Sequence, residues 1–157
     1  MKLAIGSDKS GFPLKAAIKA YLQSEGIAFD DLGTTDLDHV KPFYVVSSTI
    51  APLIQSGAYD RAILICGTGA GVSVVANKFK GVTAVACESL YAAKMCRAIN
   101  DANVLCMGGW LIAPEMGIEM TKAFLQTAFL QDLEEWRKDW LTNAKREVGA
   151  LEDRIYD

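Results

Sequence analysis

The chain has 157 residues, 51% hydrophobic and 22% charged, with a formal net charge of -3. That length fits one domain with room for a core, and with no basic face or long polar tract it argues against nucleic acid, an anionic membrane surface and disorder. No apolar run reaches the roughly 20 residues of a membrane span, and Asp8 and Lys9 interrupt the N-terminus too soon for a secretory signal, so a cytoplasmic location is expected.

Apolar runs alternate with helical patterns along the chain. Residues 3–5 read as a first strand, ended by Gly6. Leu14, Ile18, Tyr21 and Leu22 share one face of a helix over 14–24, which Gly26 stops. A second strand is expected over 27–32 and a helix over 43–55, with Pro52 and the β-branched Val45 and Val46 against it. Strand three is 62–65, followed by a helical segment at 72–77 and a fourth strand at 82–86. A helix over 90–99, a fifth strand over 103–107 and a helix over 116–129 complete the pattern. The order predicts an α/β fold, a Rossmann-like three-layer sandwich with a five-stranded parallel sheet. The tail differs. Leu133, Trp136, Trp140, Ala144, Val148, Leu151 and Ile155 recur at helical spacing, which predicts a C-terminal helical arm. It either packs on its own domain or crosses to a second subunit. The expected division is a domain over 1–129 and an extension over 130–157 at a subunit interface.

The most informative stretch is 61–78. Its strand feeds Cys66 into a turn with Gly67, Gly69 and Gly71, ahead of an apolar helix. A thiol, the Thr68 hydroxyl and backbone N–H groups thus converge where a helix begins, a place that favours anions and thiolates. In open α/β sheets ligands bind beyond the carboxyl ends of the strands. There this loop should meet residues 6–9 after strand one and 108–110 after strand five. The position favours an exposed Cys66, against the alternative of a small buried hydrophobe. Cys87, Cys96 and Cys106 read as core, and His39 as solvent-exposed. The Gly-x-Gly-x-Gly spacing and its place after the third strand argue against a dinucleotide fingerprint, and a Walker loop is excluded for want of Gly-Lys-Ser/Thr. With no Cys-x-x-Cys and a single histidine, neither a metal nor a cofactor is expected.

Several blocks together resemble the ribose-5-phosphate isomerase B / galactose-6-phosphate isomerase family. They are Gly6-Ser7-Asp8 with Gly11-Phe12, Asp31-Leu32-Gly33-Thr34, Ile65-Cys66-Gly67-Thr68-Gly69 with Gly71, Ala76-Asn77-Lys78, and Asn100-Asp101-Ala102-Asn103-Val104. The resemblance, over roughly residues 2 to 130, implies metal-free aldose–ketose isomerisation of a sugar phosphate. It also implies a homodimer or homotetramer with active sites between subunits. Carried over by position, Cys66 is the base that moves a proton between the first two sugar carbons, and Thr68 assists at the oxygens. Backbone N–H groups of Gly67, Gly69, Ala70 and Gly71 would stabilise the enediolate, and Asp8, Lys9 and Asn100 would hold the sugar. A cysteine suits that role because a free thiol titrates at about pH 8.5.

The chain also departs from the family. Ile99 stands where a ring-opening histidine is usual, and Lys9 where another histidine is usual. Trp110 and Leu133 fall at phosphate-binding arginines; Arg137 keeps one, and Lys9 and Arg97 are further candidate cations. Isoleucine transfers no proton. The substrate therefore needs no ring opening, as with a four-carbon sugar phosphate, or a partner chain supplies the histidine. The B subunit of a heteromeric galactose-6-phosphate isomerase is similar to this chain at Ile99. A binding subunit without activity of its own is the competing reading.

Overall fold

The computed structural model describes residues 1–156; Asp157, the last residue of the expected extension, lies outside them. The elements are β1 (Leu3–Ser7), α1 (Phe12–Ser24), β2 (Asp30–Asp31), α2 (Phe43–Gln55), β3 (Arg61–Cys66) and α3 (Ala70–Ala76). After them come β4 (Ala84–Ala86), α4 (Leu90–Asn100), β5 (Val104–Gly108), α5 (Pro114–Gln126) and α6 (Glu135–Tyr156). All five strands are parallel, in the order β2-β1-β3-β5-β4.

The central strands read as continuous apolar runs because both their faces are covered. Leu3, Ile5, Ile63, Ile65, Leu105 and Met107 point to one face and pack on Leu14, Ile18 and Leu22 of α1, Cys96 of α4 and Phe124 of α5. Their neighbours Ala4, Leu64, Val104 and Cys106 point to the other, against Val46, Ile50 and Ile54 of α2 and Val72 of α3. Each buried aliphatic side chain contributes on the order of 1.5–3 kcal/mol. The three-layer sandwich expected from the sequence is therefore present.

Boundaries differ where tertiary contacts decide them. The expected second strand shrinks to Asp30–Asp31, because the Ile27 N–H turns back to the Leu22 carbonyl at 2.9 Å and finishes α1. Helix α5 starts at Pro114, whose fixed φ suits a first helical turn, and stops at Gln126. Its stop has a cause: Arg61 Nη1 donates to the end carbonyls of Phe124 and Leu125 at 2.6 and 2.8 Å.

One buried polar cluster shapes the carboxyl edge of the sheet. Lys15 is 1% exposed, and its Nζ donates to Asp31 Oδ1 at 2.8 Å and to the Thr34 carbonyl. Lys19 holds the other oxygen of Asp31 at 2.6 Å. Burial works to raise the Asp31 carboxyl, but hydrogen bonds from Lys15 and Lys19 overcome it and hold the group below its ordinary value. Thr34 N–H in turn donates to the Ser7 carbonyl at 2.8 Å. The pair thereby ties the segment after β2 onto the end of β1, from which Asp8 emerges.

Candidate active site

Strands β1 and β3 are neighbours from which the chain leaves in opposite directions. That is the position where open α/β sheets bind ligands. The three expected loops meet there. Asp8 N–H donates to the Ile65 carbonyl at 3.3 Å, Gly109 N–H to the Cys66 carbonyl at 2.8 Å, and Trp110 N–H to the Gly67 carbonyl at 3.0 Å.

Cys66 itself is a correction. Expected to be exposed, it is 4% exposed and packs with the core on the α2–α3 face. The side chain lies in the cluster formed by Val46 and Ile50 of α2 and Val72 of α3, which no single window of the sequence brings together. The sulfur is not left among hydrocarbon alone: the Gly69 N–H points at Cys66 Sγ from 3.2 Å. That geometry requires Gly69 to adopt φ of 79°, in the left-handed region. A β-carbon there would stand 2.8 Å from the Met107 carbonyl carbon. Gly69→Ala is therefore expected to cost at least about 2 kcal/mol, from the left-handed conformation and the backbone clash together. A lowered urea midpoint, with a matching loss of activity, checks it.

The backbone donors are arranged differently from the sequence expectation. Gly69 N–H serves the sulfur, and Ala70 N–H donates to Thr68 Oγ1 at 3.3 Å. The loop thus holds its own thiol and hydroxyl. Thr68 and Ala70 are exposed, and Gly71 is half-buried, against the Phe43 ring. Asp8 is half-buried; its Oδ1 accepts from Gly11 N–H at 3.0 Å, which shapes the turn into α1. Lys9 is exposed beside it.

Asn100 and Arg137 lie elsewhere. Asn100 ends α4 and precedes β5, whereas Cys66 pairs with Gly108 at the far end of β5. Four strand steps separate those edges, roughly 13 Å. Ile99, Asn100, Asp101, Trp140 and Lys145 line a cleft of about 640 Å³ at the amino edge of the sheet. Arg137 sits one turn before Trp140 on α6, with no side-chain partner among the described residues. Helix α6 is tied to this edge by Lys145 to Asp101, by Gly81 N–H to Glu152 at 2.7 Å, and by Lys80 to Asp153 at 2.9 Å. Of the cations considered, Arg97 is a structural residue. It is 7% exposed and donates to Asp101 at 2.8 Å and to the Ala102 carbonyl at 2.6 Å.

Sequence reasoning brought residues 108–110 to the loop but did not show the Trp110 ring packing on it, and it missed Phe43. The Trp110 ring lies against Gly67, and the Phe43 ring against Gly71. No sequence periodicity brings residues 43, 67 and 110 together. Their signal was Gly67 and Gly71, read in the sequence as turn glycines, at which a side chain would meet the two rings. Asn77, by contrast, is architectural: it holds β4 by accepting from Ala84 N–H at 2.9 Å and donating to the Ala84 carbonyl at 2.7 Å.

This arrangement has close parallels. The family model for ribose/galactose isomerases matches residues 3–140. The chain belongs to the ribose/galactose isomerase family. It is a sugar isomerase. A 4-deoxy-4-sulfo-D-erythrose isomerase of Clostridium sp. (strain MSTE9) is 57% identical over 99% of this chain and 98% of its own. A D-erythrulose-4-phosphate isomerase of Pectobacterium atrosepticum is 38% identical, over 82% of this chain and 85% of its own. Among solved structures, Clostridium thermocellum ribose-5-phosphate isomerase B superposes with a TM-score of 0.87 at 31% identity, covering 99% of each chain. No helix among the described residues is long and apolar enough to cross a membrane, and no metal-binding cluster of His, Cys, Asp or Glu is present among them.

Proposed function

We propose that this protein interconverts an open-chain four-carbon aldose and its ketose, the sugar carrying a singly charged terminal group such as a sulfonate. The observation that carries this reading is Ile99. A furanose must be opened by proton transfer before its C2 proton can be removed, and an isoleucine moves no proton. A four-carbon sugar substituted at C4 has no hydroxyl placed to form that ring. The charge of the site supports the same reading. A phosphate monoester carries about -1.5 to -2 charge near neutral pH, a sulfonate only -1. Trp110 and Leu133 stand at positions of family arginines, so the site has lost cations that a dianion would use. The relative named for sulfo-erythrose, at 57% identity, points the same way.

Chemistry follows from the loop. The Cys66 thiolate takes the proton from C2 of the aldose, and the electron pair moves onto the carbonyl oxygen to give an enediolate. The same sulfur returns the proton to C1, which leaves the ketose. Gly69 N–H stabilises the thiolate, and the Thr68 hydroxyl, reaching the solvent side, serves the two oxygens as protons move between them. Asp8, with one carboxylate oxygen engaged by Gly11, holds sugar hydroxyls with the other, and Lys9 faces the anionic end.

Asn100 and Arg137 reach the substrate from a second copy. Their position at the opposite edge of the sheet supports this, and so does α6. That helix buries Leu141 alone and leaves Trp136, Trp140, Val148 and Ile155 about two-thirds exposed. Residues 130–156 thus form the interface arm of a homo-oligomer. The test is a panel run with the purified chain alone: 4-deoxy-4-sulfo-D-erythrose, D-erythrose 4-phosphate and D-ribose 5-phosphate. The four-carbon substrates are expected to exceed ribose 5-phosphate by at least about 100-fold in kcat/KM. Equal turnover of ribose 5-phosphate, or turnover only after a second protein is added, overturns the proposal.

A further inference from the structure

We propose that Trp110 sets the length of sugar the site accepts, its indole forming a fixed apolar wall beside the Cys66 loop. This deepens the reading above and rests on it. Three ring atoms of Trp110, Cε3, Cζ3 and Cδ2, stand 2.8, 2.8 and 2.9 Å from the place a β-carbon on Gly67 would occupy. The six-membered ring therefore lies directly on the backbone of the residue next to the thiol, and only a glycine at 67 leaves room for it. Its position is fixed from the main chain as well, by the Trp110 N–H to Gly67 carbonyl bond at 3.0 Å and the Gly109 N–H to Cys66 carbonyl bond at 2.8 Å.

Trp110 is 72% exposed even so. A large aromatic surface open to solvent beside a reactive thiol is unfavourable unless something packs on it. A second ring packs on the same loop. Two Phe43 ring carbons lie 3.0 Å from the β-carbon position of Gly71, and Phe43 is 37% exposed. Trp110 thus covers the loop at Gly67 and Phe43 covers it at Gly71, with the exposed Thr68 between those two positions in the chain. On this proposal a sugar whose C1 and C2 sit at Cys66 extends its remaining carbons past the exposed Trp110 ring. The wall carries no charge and no hydrogen-bond donor but the indole N–H, so it bounds a short chain rather than gripping an anion.

Two ketoses that both lack a ring form separate this effect from ring opening: 4-deoxy-4-sulfo-D-erythrulose and 5-deoxy-5-sulfo-D-ribulose. Neither has a free hydroxyl placed to close on C2, so Ile99 plays no part in the comparison. In W110A, the ratio of kcat/KM for the five-carbon ketose to that for the four-carbon ketose is expected to rise at least ~10-fold, within the range a hydrophobic pocket imposes for extra bulk. W110F, which keeps a ring on Gly67, is expected to raise it by a smaller factor, and carries the test if W110A does not fold. An unchanged ratio in the folded variants, whatever the fall in absolute rate, makes Trp110 a structural cover only and overturns the proposal. Failure of the wild type on both ketoses refutes the proposed function instead, and is told apart by needing no variant.

Discussion

Cys66→Ala is expected to lower kcat by about 10³-fold and to abolish incorporation of solvent deuterium into the sugar, with the fold retained. The size is that of a lost general base. The alternative role for this residue is packing, since the sulfur is 4% exposed and touches the core. The two roles predict different results. A packing residue would lower stability and leave exchange per folded molecule intact. A base would remove exchange while the melting curve moved only slightly, because losing one sulfur leaves a smaller cavity than the Leu→Ala changes that cost 2–5 kcal/mol. Deuterium exchange at C1 and C2 of an open-chain substrate, followed by NMR, reads the proton transfer itself. Exchange at the wild-type rate in the alanine variant would exclude Cys66 as the base.

Asp31→Asn is expected to destabilise the fold by about 3–5 kcal/mol, because it strands the Lys15 ammonium in the interior without a counter-charge. The burial decides the size. The side chains of Lys15 and Asp31 are 2% and 9% exposed, so solvent cannot replace the lost partner. An exposed ion pair such as Lys138–Glu135, both on the outer turn of α6, would be worth under about 1 kcal/mol. The pH dependence follows from the same pair. Asp31 is held below its ordinary value of 3.8 in the folded state. Its contribution is therefore complete above the unfolded value and is lost as pH falls below 3.8 towards the folded value. Urea titrations from pH 7 down to pH 3 are expected to show the wild type losing stability over the acid end of that range. Asp31→Asn should lose less there, having already lost the pair. Parallel acid curves for the two proteins would place the titrating group elsewhere.

Fold class was legible because strand and helix periods are local. The runs at 62–65 and 104–107 are apolar at every position, as strands covered on both faces are, and Leu14, Ile18 and Leu22 recur at helical spacing. Lengths were less legible. The six residues at 27–32 read as one strand, but only two of them pair with β1, since the hydrogen bond that ends α1 takes Ile27 first. The site was half legible: the Cys66 loop announced itself by its glycines, whereas its walls, Trp110 and Phe43, come from segments over thirty positions away on average and meet only through packing.

The sequence by itself determined the alternation of strands and helices and the glycine turn behind a strand-ending cysteine, since each is a property of neighbouring residues; Ile99 stands out only against the family pattern. Only the tertiary structure decided that Cys66 is covered, that Lys15 needs Asp31, that Arg97 braces the α4–β5 junction, and that Asn100 faces the edge of the sheet opposite the thiol. Burial and charge pairing depend on which distant segments arrive at the same place, and that is fixed by the sheet order rather than by any window of the chain.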